Sequence, residues 1–426
     1  GIYSNYTQQT NTWLTEMSEY FQTNDLHNRP VSSGFAIKQH HADYWNNQHV
    51  DYTQLHLYYF KPDLEMIIYN LQYWNRQKYQ KPVIVGEFAL GHDPALIVQK
   101  DPNGIAFHNV LWSSYLSGSI GTAMSWWWNN YLYPQGLFSY FQPLSDFKQQ
   151  TFTNRTGLSA TLPFTTSGNN NSLFVYPEYS TTNSKPPSNY FILEPNGFMN
   201  PTEMNLGSIL YGSFFGSYRN PPTFNVNYTK AGKFKVRTGD VVFLSKIKIV
   251  VDGITLKNST ASANSTYSVD IPAGEHEIFV DNSSSGYMDV SYFELENYAP
   301  LLRTFAFSGE NYAAGWFQNR DYNWEYVSLY GAPPAETGGK MHFPDFDQGL
   351  YEINWFDGSG VLDSTQIVFS GNQHEISLPP VVWDGAFEMK YLQPFEMAFT
   401  ANPLSGDKPL QVQFTDQSTY SPKCVF

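Results

Sequence analysis

The first 150 residues alternate short apolar runs with segments whose apolar residues recur at helical spacing. The apolar runs lie near residues 31–36, 53–59, 83–88 and 121–128. The segments with a period of three to four residues, which predict helices, are 12–23, 64–78, 104–117 and 137–148. This alternation predicts parallel strands joined by crossover helices.

The pattern changes after residue 150, where helical spacing stops and Gly, Pro, Asn, Ser and Thr become frequent. Segments of alternating apolar and polar residues follow at 233–237, 246–251, 266–271, 276–281 and 288–295. A second such region begins near residue 299 and includes residues 349–356. A period of two predicts antiparallel strands with one buried face. We therefore predict a multidomain chain divided into residues 1–150, 151–298, 299–393 and 394–426.

A lone carboxylate ends the third apolar run, Lys-Pro-Val-Ile-Val-Gly-Glu-Phe-Ala-Leu, at residues 81–90. A buried parallel strand has such a continuous apolar sequence. Burying an unpaired carboxylate costs free energy, so Glu87 must be paired or functional. The C-terminal end of a parallel barrel strand is where (β/α)8 enzymes place catalytic groups. Glu87 is thus a candidate catalytic residue, and a structural glutamate bonded to neighbouring backbone is the alternative.

Aromatic and polar residues end the neighbouring runs. His56 and Tyr58 are two residues apart and so share one strand face. Trp126 and Trp128 share a face in the same way, and Asn129 follows them. An indole offers a flat apolar surface to a sugar ring. Each of these residues also has a structural alternative, as a buried side chain bonded to backbone or as a core tryptophan.

Together these motifs resemble the last strands of the retaining glycoside hydrolases built on (β/α)8 TIM barrels, the cellulase- and mannanase-like clan with two catalytic glutamates. In that resemblance Glu87 is the nucleophile on strand seven, and His56 and Tyr58 position the nucleophile and the sugar. The residues that the resemblance assigns to substrate binding are Trp126, Trp128, Asn129 and Trp45.

The second catalytic glutamate of that clan follows an Asn at the end of strand four, and this chain has no Asn-Glu dipeptide. The resemblance therefore implies a partial barrel, strands five to eight, in residues 1–150. We expect residues before Gly1 or a partner chain to complete the barrel and to supply the acid/base.

The later regions resemble modules that accompany such enzymes. Residues 247–253 and 271–280 resemble the jelly-roll β-sandwiches that bind carbohydrate. Residues 299–393 resemble the small C-terminal sandwich of multidomain cellulase-like enzymes. The tail, 394–426, resembles the first strands of a polycystic-kidney-disease-type (PKD) Ig-like domain, truncated before its end. The expected fold is thus a half-barrel, two antiparallel sandwiches and an Ig-like tail.

Composition restricts the partners. Charged residues make up 15% and aromatic residues 17%, with a net charge of −14, which excludes the basic surface that nucleic acid requires. The single cysteine, Cys424, cannot form an intrachain disulfide. No apolar window is long enough to span a membrane. These features are typical of extracellular or cell-surface proteins of archaea or bacteria.

Asn-x-Ser/Thr sequences predict glycosylation. They begin at Asn5, Asn154, Asn170, Asn227, Asn258, Asn264 and Asn282. No cofactor and no metal ligand set is predicted from residue spacing. A structural calcium ion in a sandwich could use the loop carboxylates Asp252, Asp281 or Asp289, but no spacing identifies a site.

Two functions remain in contention. The first is a secreted retaining β-glycanase that hydrolyses a β-linked polysaccharide. The second is a glycosylated surface, adhesion or filament-forming protein built on a relic glycosidase barrel, whose β modules drive cell-surface assembly. An Asn-Glu motif in preceding sequence would favour the enzyme.

Overall fold

A computed structural model describes residues 8–34, 42–180, 182–357, 360–370, 374–394, 399–406 and 411–416. Across these ranges the chain is mostly antiparallel β-sheet with few helices. The helices are α1 (Gln8–Asn24), α2 (Ala42–Trp45), α3 (Leu64–Tyr79), α4 (Pro94–Lys100), α5 (Ile105–Leu116), α6 (Phe141–Thr151) and α7 (Trp324–Tyr330). None of these described helices is both long and apolar enough to cross a membrane.

The strands up to residue 260 are β1 (Thr53–Tyr58), β2 (Val83–Ala89), β3 (Ser159–Thr161), β4 (Phe164–Thr166), β5 (Asn170–Val175), β6 (Tyr190–Leu193), β7 (Met199–Asn200), β8 (Ile209–Tyr211), β9 (Thr223–Tyr228), β10 (Gly232–Phe243), β11 (Lys246–Val251) and β12 (Ile254–Thr260). The later strands are β13 (Thr266–Ile271), β14 (Gly274–Asn282), β15 (Tyr287–Pro300), β16 (Leu302–Gly309), β17 (Tyr312–Asn319), β18 (Lys340–His342), β19 (Gly349–Asp357), β20 (Gly360–Phe369), β21 (Glu375–Ser377), β22 (Asp384–Pro394), β23 (Phe399–Asn402) and β24 (Gln413–Asp416).

The chain forms two compact units. The first comprises Gly1–Phe138, Ser167–Leu301 and Arg320–Pro333. The second comprises Ser139–Thr166, Leu302–Asn319 and Pro334–Phe426. The four-domain division at residues 150, 298 and 393 stays a prediction.

The α/β part of the first unit contains the parallel pair β1 and β2, as the apolar runs predicted. A following segment runs alongside β2, because Met124 N donates to Val85 O (3.0 Å) and Trp126 N to Phe88 O (3.1 Å). It forms a single bridge at Ser125, so the strand predicted over 121–128 is wrong in extent. Of the run 31–36, the described part, 31–34, forms no strand, and 35–36 lie outside the described residues. The parallel sheet therefore has two strands in the part of the chain that the structure describes, and a half-barrel stays a prediction.

Two carboxylates, the exposed Asp93 and the buried Asp101, cap the starts of α4 and α5. Asp93 accepts a hydrogen bond from Ala95 N (2.9 Å) at the start of α4, where Pro94 suits the first turn. Asp101 accepts from the backbone N–H groups of Ile105 (2.8 Å) and Ala106 (2.9 Å) at the start of α5. Burial raises the pKa of Asp101 to about 6. These caps satisfy helix N–H groups that would otherwise lack partners.

The β part of the first unit is a sandwich of two sheets. One sheet has the strand order β13-β10-β15-β5, with β8 also pairing to β15, and the other has the order β12-β11-β14-β9-β6-β7. Phe293 and Phe234 of the first sheet meet Phe224 of the second in one apolar core. All five strands predicted between residues 233 and 295 are confirmed, because each lies within an observed strand.

The second unit contains another pair of sheets around its own core. The strand orders are β20-β19-β22-β17-β16-β3 and β21-β18-β4, with the hairpin β23-β24 near the end of the described chain. The helix predicted over 137–148 divides into a 3-10 turn, Leu137–Tyr140, and α6. Phe147 of α6 packs edge-on against Phe356 at 5.3 Å, and this helix lies in the second unit. The PKD-type Ig-like identity of 394–426 stays a prediction, and residues 395–398, 407–410 and 417–426 lie outside the described residues.

A buried glutamate makes the stability of the first unit depend on pH. Burial raises the pKa of Glu203 to about 8, and the nearby Glu178 and Asp63 act in the same direction. Its neutral form is favoured in the fold. The stability present below the unfolded pKa of about 4.3 is therefore lost as pH rises through the folded value. We expect Glu203→Gln to raise the melting temperature more at about pH 8 than at about pH 5, measured by thermal melts. The exposed control Glu275→Gln should show no such difference; an equal gain at both pH values would contradict the prediction.

Candidate active site

An irregularity in β2 decides which way Glu87 faces. Strict alternation would place Glu87 with the buried Val83 and Val85, on the face covered by α3 and α5. The register with β1 shifts between Leu55 and His56, so that Leu55 lies opposite Val85 and His56 lies opposite Glu87. This β-bulge inserts one residue, Gly86, and turns Glu87 to the opposite face.

Glycine at position 86 leaves room for the side chain of Gln54. A Cβ atom added there would lie 2.3 Å from the Nε2 atom of Gln54. After the bulge Phe88 takes the helix-covered face, where its ring stacks on Phe107 of α5 at 6.3 Å. The bulge therefore turns the carboxylate away from the helix-covered face at the C-terminal end of a parallel strand.

The alternate residues of β1 bring three polar side chains to the same face as Glu87. The Tyr58 hydroxyl donates to Glu87 Oε2 at 2.7 Å. His56 Nδ1 lies 3.3 Å from the same oxygen. Gln54 Nε2 lies 3.1 Å from His56 Nε2. The predicted proximity of Glu87, His56 and Tyr58 is thus confirmed as geometry; their catalytic role stays a prediction.

The contacts of His56 indicate its charge and which of its ring nitrogens carries the proton. Its side chain is 7% exposed, and burial lowers its pKa while the charge of Glu87 acts in the opposite direction. The ring is therefore neutral at pH 7. The amide of Gln54 donates to Nε2, so the remaining proton is on Nδ1 and faces the carboxylate. Both contacts that the described residues make with Glu87 go to Oε2, and the Glu87 side chain is 25% exposed.

One residue of the tryptophan cluster, Trp126, lies on the same face of the sheet as this carboxylate. Ser125 pairs with Phe88, so Trp126 lies on the Glu87 side of the sheet, and its side chain is 48% exposed. Trp127 is anchored by its indole N–H, which donates to Gly91 O at 3.0 Å. Trp128 starts a π-helical turn, Trp128–Leu132, so the prediction that it shares a strand face with Trp126 is wrong. Trp128 is 59% exposed, and Asn129 is exposed in the same turn.

Trp45 does not belong to this site. It is 2% exposed, and its indole packs edge-on against Tyr79 at 5.3 Å. The prediction that it contacts substrate is wrong, because the end of α2 is packed against the end of α3. An isolated tryptophan in a loop-like sequence gives no sign of whether it faces solvent or core.

One predicted glycosylation site is also wrong. Asn282 is 1% exposed, and its Nδ2 donates to Leu210 O (3.3 Å), Ser245 Oγ (2.9 Å) and Gly286 O (3.2 Å). A glycan cannot be attached to this nitrogen in the folded chain. Asn5 lies outside the described residues, and Asn170 is partly buried. The exposed sequon asparagines are Asn154, Asn227, Asn258 and Asn264.

The carboxylates considered for calcium have protein partners. Asp252 accepts from Glu277 N (2.9 Å) and lies 2.7 Å from His276 Nδ1. Asp281 pairs with Arg219, and Asp289 accepts from Val241 N at 2.7 Å. Among the residues that the structure describes, no three His, Cys, Asp or Glu side chains are grouped as a metal site.

Sequence reasoning missed one residue of the site, Gln54. Gln54 precedes His56 by two positions, so the period of two could have placed it on the same face. His92 stacks on Tyr58 with ring centroids 4.5 Å apart, and the sequence offered only its loop position after Glu87. Gly86 carried a signal as well, since an isolated glycine inside a strand pattern suggests a bulge.

No protein-family model and no curated protein matches the chain. The solved structures similar to it include a Paenibacillus sp. cycloisomaltooligosaccharide glucanotransferase, at 10% identity and a TM-score of 0.18, over 55% of this chain and 45% of that one. They also include Bacteroides uniformis β-glucuronidase 2, at 10% identity and a TM-score of 0.25, over 91% of this chain and 50% of that one. A GH2 β-galacturonidase from Eisenbergiella tayi aligns at 12% identity and a TM-score of 0.15, over 42% of this chain and 36% of that one. The chain spans half or less of each enzyme, and similarity at these TM-scores carries no argument about its fold or activity.

Proposed function

We propose that the chain carries the nucleophile side of a retaining glycosidase site that acts on a β-linked polysaccharide. The observation that carries this proposal is the Glu87 carboxylate at the C-terminal end of β2, held through Oε2 by Tyr58 and His56. A partly exposed carboxylate that is oriented by donors on one oxygen suits covalent catalysis. The exposed Trp126 on the same face of the sheet suits the flat face of a sugar.

In the proposed first step Glu87 Oε1 attacks the anomeric carbon, and the bond from that carbon to the leaving oxygen breaks. The product is a glycosyl ester on Glu87, which water then hydrolyses with the configuration retained. The donors on Oε2 orient the carboxylate toward the sugar. A second carboxylic acid about 5 Å away must protonate the leaving group. We assign that role to no described residue.

The finer parts of the proposal rest on sequence. The barrel strands five to eight, the cellulase- or mannanase-like specificity and the extracellular location are inferred from the motifs and the weakly charged composition. Exposed sequons at Asn227, Asn258 and Asn264 are compatible with a glycosylated surface. They equally support the alternative, a cell-surface protein with an inactive site, so only chemistry at Glu87 separates the two functions.

Covalent trapping tests the nucleophile without requiring the second carboxylic acid that protonates the leaving group. A dinitrophenolate leaves without protonation, so dinitrophenyl 2-deoxy-2-fluoroglycosides of gluco and manno configuration report on the attack step alone. We expect mass spectrometry of peptides from the labelled full chain to place the sugar on Glu87. No label on the folded chain, or a label only on another residue, would overturn the proposal and favour the surface-protein alternative.

Tyr58→Phe removes one donor to the carboxylate and keeps the ring that stacks on His92. We expect kcat on aryl glycosides to fall about tenfold to a hundredfold with little change in KM, since the lost bond orients the nucleophile rather than the sugar. Steady-state kinetics measure kcat and KM separately. Tyr20→Phe, in an exposed residue of α1, is the matched control, and equal kinetics for both variants would contradict the assigned role.

A further inference from the structure

A second cleft lies in the first unit, apart from the residues that contact Glu87. Its volume is about 390 Å³, within the range of small-molecule sites. Three segments line it: the residues before α3, the strand β5 with its continuation, and residues 320–330, which include α7. None of its lining residues is Glu87, His56, Tyr58 or Trp126.

Aromatic side chains supply much of the cleft surface. Phe174 lies in β5 and Tyr176 directly follows the strand, two positions further on the same face. Their ring planes are 19° apart and their centroids are 6.4 Å apart. Tyr326 and Tyr330 face the cleft from α7, with centroids 5.1 Å apart. Phe174 is 39% and Tyr330 73% exposed. Exposed aromatic rings on two walls suit a ligand with flat apolar faces.

Polar groups lie between these rings. Arg320 is largely buried, and its Nη2 donates to Asp63 Oδ2 at 2.9 Å. Its Nε–H is buried and has no hydrogen-bond acceptor among the described residues. Asn171 donates to Asp321 Oδ1 at 2.7 Å on the same surface. Hydrogen-bonding groups of both kinds beside aromatic rings suit a polyhydroxylated ligand.

The charge of the cleft restricts the ligand further. The acidic and basic lining residues are three carboxylates, Asp63, Asp321 and Glu325, and one guanidinium, Arg320. The net negative charge disfavours uronic acids and sulfated or phosphorylated sugars. A neutral sugar meets no such repulsion.

Contacts within the protein fix the walls of the cleft before any ligand binds. Lys61 Nζ lies 3.9 Å from the centroid of the Tyr176 ring. The indole N–H of Trp324 donates to Lys61 O at 2.9 Å, which ties α7 to the loop before α3. A preformed site loses less conformational entropy on binding.

We infer that this cleft binds a short neutral oligosaccharide without cleaving it. The inference goes beyond the proposed hydrolysis, because it assigns a second glycan site that does not require Glu87. Such a site would hold a polysaccharide on the first unit and raise its local concentration at any other sugar site of the chain.

Binding of cellohexaose and mannohexaose by isothermal calorimetry tests the inference. All measurements use a Trp126→Ala background, which removes the proposed sugar contact beside Glu87. We expect Phe174→Ala and Tyr330→Ala each to weaken binding of the better hexaose about tenfold. Both side chains are exposed, so the fold should survive, and circular dichroism checks that it does. Tyr20→Ala, another exposed tyrosine, should bind as the background does.

The outcomes separate this inference from the proposed nucleophile. Binding that persists in Glu87→Gln and falls in both cleft variants supports the cleft even if Glu87 is never labelled. Failure of the folded background to bind either hexaose overturns the inference, as does binding that neither cleft variant weakens. Binding of hexagalacturonate as tight as that of the neutral hexaoses would overturn the selection by charge.

Discussion

Replacing Glu87 by glutamine should lower the turnover of aryl glycosides by at least about a thousandfold. The amide has nearly the same shape as the carboxylate, and its oxygen can still accept from the Tyr58 hydroxyl. It lacks the negative charge that attacks the anomeric carbon and cannot form the glycosyl ester. We expect the loss in kcat, with sugar binding retained because Trp126 is unchanged. Steady-state kinetics and calorimetry measure the two quantities.

A variant with a smaller side chain at position 87 tests the attack on the anomeric carbon independently. Glu87→Ala leaves space for azide, which can attack the anomeric carbon in place of the carboxylate. Azide should then restore turnover of dinitrophenyl glycosides and give a glycosyl azide of inverted configuration. Glu275→Gln, an exposed glutamate of β14, should keep full turnover. Turnover by Glu87→Gln close to that of the unmodified chain would assign the activity to another group.

Phe293→Ala should destabilise the sandwich of the first unit by about 3–5 kcal/mol. Phe293 is 0% exposed, and its ring lies 4.9 Å from Phe224 and 6.0 Å from Phe234, by centroids. The truncation removes buried apolar surface and leaves a cavity where the two sheets meet. Urea unfolding followed by tyrosine fluorescence and circular dichroism measures the loss in the transition that includes this sandwich.

A phenylalanine-to-alanine substitution at the surface is the control. Phe214 is 72% exposed, so Phe214→Ala should change the free energy of unfolding by less than about 1 kcal/mol. A small effect at Phe293 would mean that the core between β9, β10 and β15 can collapse around the missing ring. The sandwich would then be less tightly packed than these ring distances indicate.

Much of the β part of the first unit was predictable from local pattern. The segments 246–251 and 266–271 match β11 and β13 residue for residue, because alternation with a period of two admits one choice of buried face. The helices α3 and α5 were predictable for the same kind of reason, with a period near 3.6. The face shared by His56 and Tyr58 followed from strand geometry alone.

Burial was much less predictable, since it depends on segments distant in sequence. Trp45 is a core residue because Tyr79 packs against it, and Asn282 is inaccessible because Leu210, Ser245 and Gly286 use its amide. For neither residue do the adjacent residues in the sequence predict that its side chain is buried. The packing of α6 was unpredictable for the same reason: its partner, Phe356, lies about 200 residues away in the chain.

The sequence by itself determined that a lone carboxylate ends a buried parallel strand and that His56 and Tyr58 share a face beside it. Only the tertiary structure decided that these groups meet. Periodicity counted from Val83 and Val85 places Glu87 under the helices, and the pairing of β1 with β2 shows the extra residue at Gly86 that reverses it. A bulge is a property of two strands in register, so a single strand's pattern cannot locate it with certainty. The carboxylate therefore reaches Tyr58 through a pairing that exists only in the folded chain.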